Sequence, residues 1–365
     1  MKAVPEVGGL VMLQRDSATA SESTRSRIAV GSFPLLAVTT ALGLLVVSLA
    51  GALSRGTVLS SPPLHFAGIL LIAVPIFYRL TSKDASDRER VALVCLLGLA
   101  LYAVKVIRGP FLFVIADEFL HAFNADQIAI HDRFFSPNPS LPVSTYYPGL
   151  EGATAALMDM TGMSSFAAGT TIVGAARLVL CIGLFCLFAR ITGSARTAGI
   201  GAALYAANPN FVVLGAQYSY QSLALPLLVV ILWALAERDV AMSRWLRTWS
   251  VPILLLTVAV VVTHHVTSFG LAIVVAALAI SYVVVGRGWA RPNPLPFALL
   301  TFGLVLAWLI VVSSLALNYL GEIFGTAVDV AIDTITGAAQ FRLPFESSDN
   351  EIAMTERTRT NGFLR

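Results

Sequence analysis

Residues Val91–Phe123 read VALVCLLGLALYAVKVIRGPFLFVIADEFLHAF. The first part, Val91–Ile107, is apolar except for Lys105 near its end. Gly109-Pro110 then breaks the helix, and a short apolar link, Phe111–Ala116, leads to Asp117-Glu118. A helix crosses a bilayer with about 20 mostly apolar residues, so the pattern reads as a span ending in a polar segment at the membrane surface.

The first half of this pattern recurs along the chain. Nine apolar runs read as spans: Ile28–Leu53, Leu64–Tyr78, Val91–Ile107, Phe166–Phe188, Thr197–Val213, Leu223–Leu235, Val251–Val262, Leu271–Val285 and Phe297–Leu317. Composition agrees. Of 365 residues, 57% are hydrophobic and 12% charged, against about 25% charged in a soluble domain. A large soluble domain is thereby excluded. The expected fold is an all-α polytopic bundle of about nine transmembrane spans. The net charge of +3 gives no case for a nucleic-acid partner. Cys95, Cys181 and Cys186 lie in apolar runs and form no CxxC pair or disulfide framework.

Positive residues orient the spans. With the tail of residues 1–27 in the cytosol, the inner loops hold Arg79, Lys83, Arg88 and Arg90, then Arg190 and Arg196, then Arg238, Arg244 and Arg247, then Arg287 and Arg291. The outer loops before the C-terminal tail hold only Arg55, Arg108 and Arg133. The N-terminus lacks the apolar core of a cleavable signal peptide, so the first run is expected to act as an uncleaved signal-anchor. The core then covers residues 28–318, with an external loop at 108–165. Residues 319–365 form an external tail, expected to begin a larger external portion or to be a truncated end. The protein is placed in the cell membrane as a multi-pass chain with its active face outside.

This topology puts the unusual polar clusters on one face. Asp117 and Glu118 lie close to low dielectric, which raises a carboxyl pKa toward that of a general base. His121 follows at helical spacing, and apolar residues between the polar ones predict an amphipathic helix on the outer leaflet. Glu-x-x-His also has metal-ligand spacing, although a surface pair would give the same pattern. His131, Asp132 and Arg133 form a further charged cluster. Tyr146 and Tyr147 read either as interfacial anchors or as the wall of a sugar pocket. Gln217, Tyr218, Tyr220 and Gln221 suit hydroxyl-rich ligands, and equally suit capping. His264-His265 sits beside Thr263, Thr267 and Ser268, where it could hold a phosphate oxyanion or cap a helical hairpin. Adjacent helical residues point about 100° apart, so the two do not serve one metal without an irregular turn. Arg177, inside the fourth run, costs at least ~2.5 kcal/mol to insert. It calls for a partner, Glu151 and Asp159 being nearest in sequence, or for a lipid phosphate.

Three segments together resemble the integral-membrane glycosyltransferases of the C-type fold, which include protein O-mannosyltransferases and lipid A aminoarabinose transferases. They are ADEFLHAFNADQIAIHDRFF from Ala116, STYYPGLEGATAALMDMTGMSS from Ser144 leading to Arg177-Leu178, and AANPNFVVLGAQYSYQSLALPLL from Ala206. The resemblance covers roughly residues 103–235. It implies a polyprenyl-phosphate sugar as donor and an acidic motif in an external loop. Asp117 would be the base for the acceptor hydroxyl, with Glu118 assisting. His121, Asp132, Tyr146, Tyr147, Arg177, Gln217, Tyr218, Tyr220, Gln221, His264 and His265 would contact substrate. It fixes no cofactor, and a divalent metal is left open. The expected partners are a lipid-linked sugar donor, membrane lipids, and a glycan, lipid or protein acceptor. Two departures stand out: the acidic pair follows the third run where many relatives carry it after the first, and many relatives have more spans.

Three rivals remain on residue chemistry alone. A transporter would need ionisable groups in several spans, where only Arg177 and the span-edge Lys105 qualify. A metal-dependent membrane hydrolase could draw on Glu118, His121, His264 and His265, although no HExxH occurs. A membrane scaffold would do no chemistry.

Overall fold

The computed structural model describes residues 31–56, 62–237, 250–285 and 294–313. These form α-helices α1 (Phe33–Gly56), α2 (Pro62–Thr81), α3 (Asp87–Arg108), α4 (Ala116–His131), α5 (Gly149–Thr161) and α6 (Ser165–Thr192). They continue with α7 (Ala195–Ala206), the single turn α8 (Pro209–Val212), α9 (Tyr220–Ala236), α10 (Ser250–Thr263), α11 (His265–Val285) and α12 (Leu295–Val311). Two 3-10 turns, Pro142–Tyr146 and Leu214–Ala216, complete the described elements, and no strand occurs among them.

Local chemistry sets the helix ends. Ser86, Ser164 and Ser194 cap α3, α6 and α7 through their side-chain oxygens. Gly162 and Gly193 end α5 and α6 in the left-handed region. Asn208 caps α8, and Pro209, which cannot continue the preceding helix, separates it from α7.

Among the described residues five helices, α1, α2, α3, α6 and α11, are long and apolar enough to cross a membrane. The count is six if the pair Pro209–Ala216 and Tyr220–Ala236, bent by 120°, is one broken span. Of the nine expected spans, five or six are thus matched by a helix of membrane length among the described residues. Thr197–Val213 is cut at Pro209, leaving α7 about 18 Å long against a ~30 Å hydrocarbon core. Helices α10 and α12 are apolar but short, and Phe297–Leu317 runs past the described residues at Ser313. The tails at 1–27 and 319–365 lie outside the described residues.

Two apolar cores hold the bundle. The larger joins α1, α2, α3, α6 and α7 around Ile72, Ile76, Leu93, Leu97, Leu180 and Ala202. The second joins α9 to α10, α11 and α12 around Ile231, Val260, Leu271 and Val275. Helices α1 and α2 pack backbone to backbone: a Cβ on Gly43 would stand 2.8 Å from the Gly68 carbonyl oxygen, an approach open only to small residues. At one end, Arg79 bonds both oxygens of the Glu89 carboxylate, and Ser32 N–H donates to it, tying α1, α2 and α3 together. At the other end lie α4, α5 and the bend before α9, over a small core of Tyr102, Phe113, Leu150, Val173 and Tyr218.

Candidate functional site

Helix α4 turns its polar residues inward. Glu118, His121 and Asn124 are buried, while Phe119, Phe123 and Ile130 are exposed. The helix is amphipathic, as its sequence predicts, but the protein takes the polar stripe and the apolar stripe faces out. Such an arrangement suits a helix bathed in lipid rather than water.

Glu118 and Asn124 tie α4 to its neighbours. Glu118 is fully buried and accepts from Lys105 Nζ, from the N–H groups of Val114 and Ile115 at 3.2 Å each, and from Tyr218 N–H at 2.9 Å. Its carboxylate thus bolts the start of α4 to the end of α3 and to the bend before α9. With its oxygens taken, Glu118 positions its neighbour and does not face an open site. Asn124 donates to Ser144 Oγ (2.8 Å) and accepts from Asn138 Nδ2 (2.8 Å). Asn138 Oδ1 in turn receives the N–H groups of Ser140 and Leu141 at 3.1 Å, clamping the proline-rich loop onto α4.

His121 is the centre of the site. Its Nδ1 lies 2.5 Å from Glu151 Oε1 on α5, with both side chains fully buried. The contact orients the imidazole against Glu151, whose second oxygen, Oε2, has no hydrogen-bond partner among the described residues. The other nitrogen, Nε2, faces Asp117 Oδ2 at 3.8 Å and has no hydrogen-bond partner among the described residues. The Asp117 side chain is 46% exposed. The three groups run from buried to open: Glu151, His121, Asp117.

Helices α9, α10 and α11 supply the opposite wall. The Tyr220 ring meets the His121 ring edge-on at 4.5 Å and stacks on His264 at 4.4 Å. His265 is 5.0 Å from Tyr147 and 5.1 Å from His264, between ring centroids. His264 falls at the joint between α10 and α11, where its Nδ1 meets Thr267 Oγ1 at 2.7 Å. Burial pulls its pKa down to about 3, with His265 and His121 adding to the fall. His264 is therefore a neutral imidazole at physiological pH. The joint fits because position 149 is glycine: a Cβ on Gly149 would stand 2.1 Å from Thr263 Oγ1.

The remaining sequence candidates are placed as follows. Tyr218 is buried, stacks on Phe113 at 4.9 Å and donates to Thr154 Oγ1 at 2.8 Å. Tyr146 accepts from Trp308 Nε1 through its backbone carbonyl at 3.1 Å, which pins the loop to α12. Gln217 is buried in the bend. Asp132 is not in the cluster. It is the exposed C-cap of α4, with φ 52°, a left-handed position that suits Asp better than most residues. Arg177 and Gln221 line a different cavity, and the expected carboxylate partner for Arg177 is not found: Glu151 holds His121, and Asp159 is exposed. Among the described residues no group of three His, Cys, Asp or Glu side chains is arranged to hold a metal ion.

The chain matches no protein-family model, no curated protein and no solved structure.

Sequence reasoning underrated Glu151, the most consequential addition. The signal was there: GLEGATAALM carries a single acid among small and apolar residues, and an isolated acid on an otherwise apolar helix asks for a partner.

Proposed function

We propose that the protein is a membrane glycosyltransferase that moves a sugar from a polyprenyl-phosphate donor to an acceptor hydroxyl at the external membrane face, with Asp117 as the base. The observation that carries the reading is the half-exposed Asp117 carboxylate backed by the buried His121–Glu151 pair. Of these groups only Asp117 reaches the surface, so it is the one that can touch an acceptor.

The chemistry balances without a further reagent. Asp117 takes the proton of the acceptor hydroxyl, and that oxygen bonds to the anomeric carbon. The bond from that carbon to the phosphate oxygen breaks, and its electron pair leaves with the phosphate. One displacement inverts the anomeric centre. The base needs to lie within about 3 Å of the acceptor oxygen. His121 stands behind Asp117 with Nε2 3.8 Å from Oδ2, placed to take up the proton that Asp117 gains, and Glu151 orients the imidazole. Tyr220, half-buried, offers a ring of the kind that stacks on sugar C–H bonds, while Tyr147 and His265 are buried behind it. His264, being neutral, assists a leaving phosphate only as an N–H donor.

The apolar outer face of α4 and the five or six membrane-length helices support a lipid-linked substrate. The test is transfer by the purified chain in nanodiscs from a polyprenyl-phosphate sugar to a hydroxyl acceptor. Product with an inverted anomeric centre is the expected result. Turnover of no lipid-linked sugar across a panel of donors, by a protein that is folded, would reject the reading.

A further inference from the structure

Arg177 sits in the middle of α6, buried and without an acidic partner among the described residues. Nη2 donates to the Phe211 carbonyl at 2.6 Å, and the guanidinium lies 3.8 Å above the Phe211 ring. Nε and Nη1 are buried, with no hydrogen-bond partner among the described residues. The charge therefore acts through Phe211. A cation over an aromatic face gains more when desolvated than in water. The carbonyl also has reason to accept: α8 stops at Val212, and the last carbonyls of a helix lack intrahelical partners.

Phe211 opens the bend that leads to the site. From it the chain turns through Leu214–Ala216 and enters α9 at Tyr220, the two arms meeting at 120°. Helix α6 holds this bend at both ends. Arg177 takes Phe211, and Gly169, about two turns earlier, makes room for the Tyr218 ring: a Cβ there would stand 2.6 Å from it. Glu118 takes the Tyr218 N–H at 2.9 Å. A cation thus meets a carbonyl where one helix ends, and a carboxylate meets an N–H where the next begins. Backbone polarity favours this arrangement at a broken helix. Tyr220 is the first residue of α9, so its place follows the direction in which the bend launches that helix. Its ring lies edge-on to His121 at 4.5 Å and stacks on His264 at 4.4 Å.

We propose that Arg177 is a positioning residue for the site around His121. By holding Phe211 it fixes the bend, and the bend sets the Tyr220 ring against His121 and His264. The guanidinium itself touches no substrate. The effect on sugar transfer rests on the reading of Asp117 as the base; the link from Arg177 to Tyr220 does not.

NMR of the full chain in nanodiscs, isotope-labelled in its five histidine rings, tests the link. The His264 signal carries the ring current of the stacked Tyr220, and Tyr220→Leu defines the displaced signal. Arg177→Gln should move His264 in the same direction. Arg177→Lys, which keeps a cation for the Phe211 carbonyl, should return it toward the wild-type position. His65, outside the cluster, should stay in place throughout. A merely structural arginine would lower the unfolding temperature without moving His264. If Arg177→Gln does not fold, Phe211→Leu takes its place: it keeps the carbonyl, removes the ring under the guanidinium, and should shift His264 the same way. A wild-type His264 signal in the folded variant would overturn the proposal. In the transfer assay Arg177→Gln should raise KM about tenfold, through loss of one well-placed ring, with kcat close to wild type. No transfer by the wild type, alongside a displaced His264 signal in Arg177→Gln, would reject the transferase reading and leave the role of Arg177 standing.

Discussion

His121 Nδ1 lies 2.5 Å from Glu151 Oε1, with neither side chain exposed to solvent. The contact joins α4 to α5 and leaves the second ring nitrogen aimed at Asp117. Removing one partner of a buried hydrogen bond leaves the other unsatisfied, which typically costs about 1–3 kcal/mol. Glu151→Ala should therefore lower the midpoint of thermal unfolding by several degrees, whereas Glu151→Gln should retain most of the stability. Glu151→Gln should still slow sugar transfer, because the imidazole behind Asp117 then faces an amide in place of a carboxyl group. A Glu151→Gln protein with wild-type transfer would remove Glu151 from the relay.

Lys105 and Glu118 make a second buried pair, with Glu118 also held by three backbone N–H groups. Lys105→Met should destabilise by about 3–5 kcal/mol, since it strands a buried carboxylate. The double change Lys105→Met with Glu118→Gln should recover part of that loss. Denaturation of the two variants side by side checks the point, and equal stability would mean the backbone donors alone satisfy Glu118.

Gly149 lets α5 meet the end of α10. Gly149→Ala would drive a methyl group to 2.1 Å from Thr263 Oγ1, and overpacking of this kind costs about 1–3 kcal/mol. The expected outcome is a lower unfolding temperature, partly restored by Thr263→Ala. Failure of the second change to restore any stability would place the strain elsewhere.

His264 sets a pH dependence. Its pKa is about 3 in the folded protein because of burial, below the 6.5 of an unperturbed histidine. Between these values the unfolded chain binds a proton that the folded protein refuses. The stabilisation is complete above about pH 6.5 and is lost as the pH falls toward 3. Unfolding temperatures measured from neutral to acid pH should fall through this window, and less steeply for His264→Gln. Parallel curves for the two proteins would show that other groups dominate.

Much of this was legible in the sequence, and the gaps have physical causes. The apolar runs gave the helical class, and Gly109-Pro110 marked the turn into α4. The spacing of Asp117, Glu118 and His121 predicted a shared helical face. Which way that face points was hidden, because periodicity has no sign: the same pattern serves a helix on water or a helix in lipid. Five or six of the nine runs are matched by membrane-length helices among the described residues, because Pro209 splits one run and α10 and α12 are short. Asp132 was conspicuous as a charge, yet its place follows from backbone geometry. The link from His121 to Glu151 crosses thirty residues and left only an isolated acid as its trace.

The central claim is that Asp117 is the base. The direct measurement is the rate of sugar transfer from a polyprenyl-phosphate donor by Asp117→Asn in nanodiscs, alongside its unfolding temperature. A half-exposed carboxylate carries little of the fold, so the unfolding temperature should match the wild type. Transfer should fall by about 10²–10⁴-fold, the usual share of a general base. Transfer at the wild-type rate by a protein of wild-type stability would contradict the account.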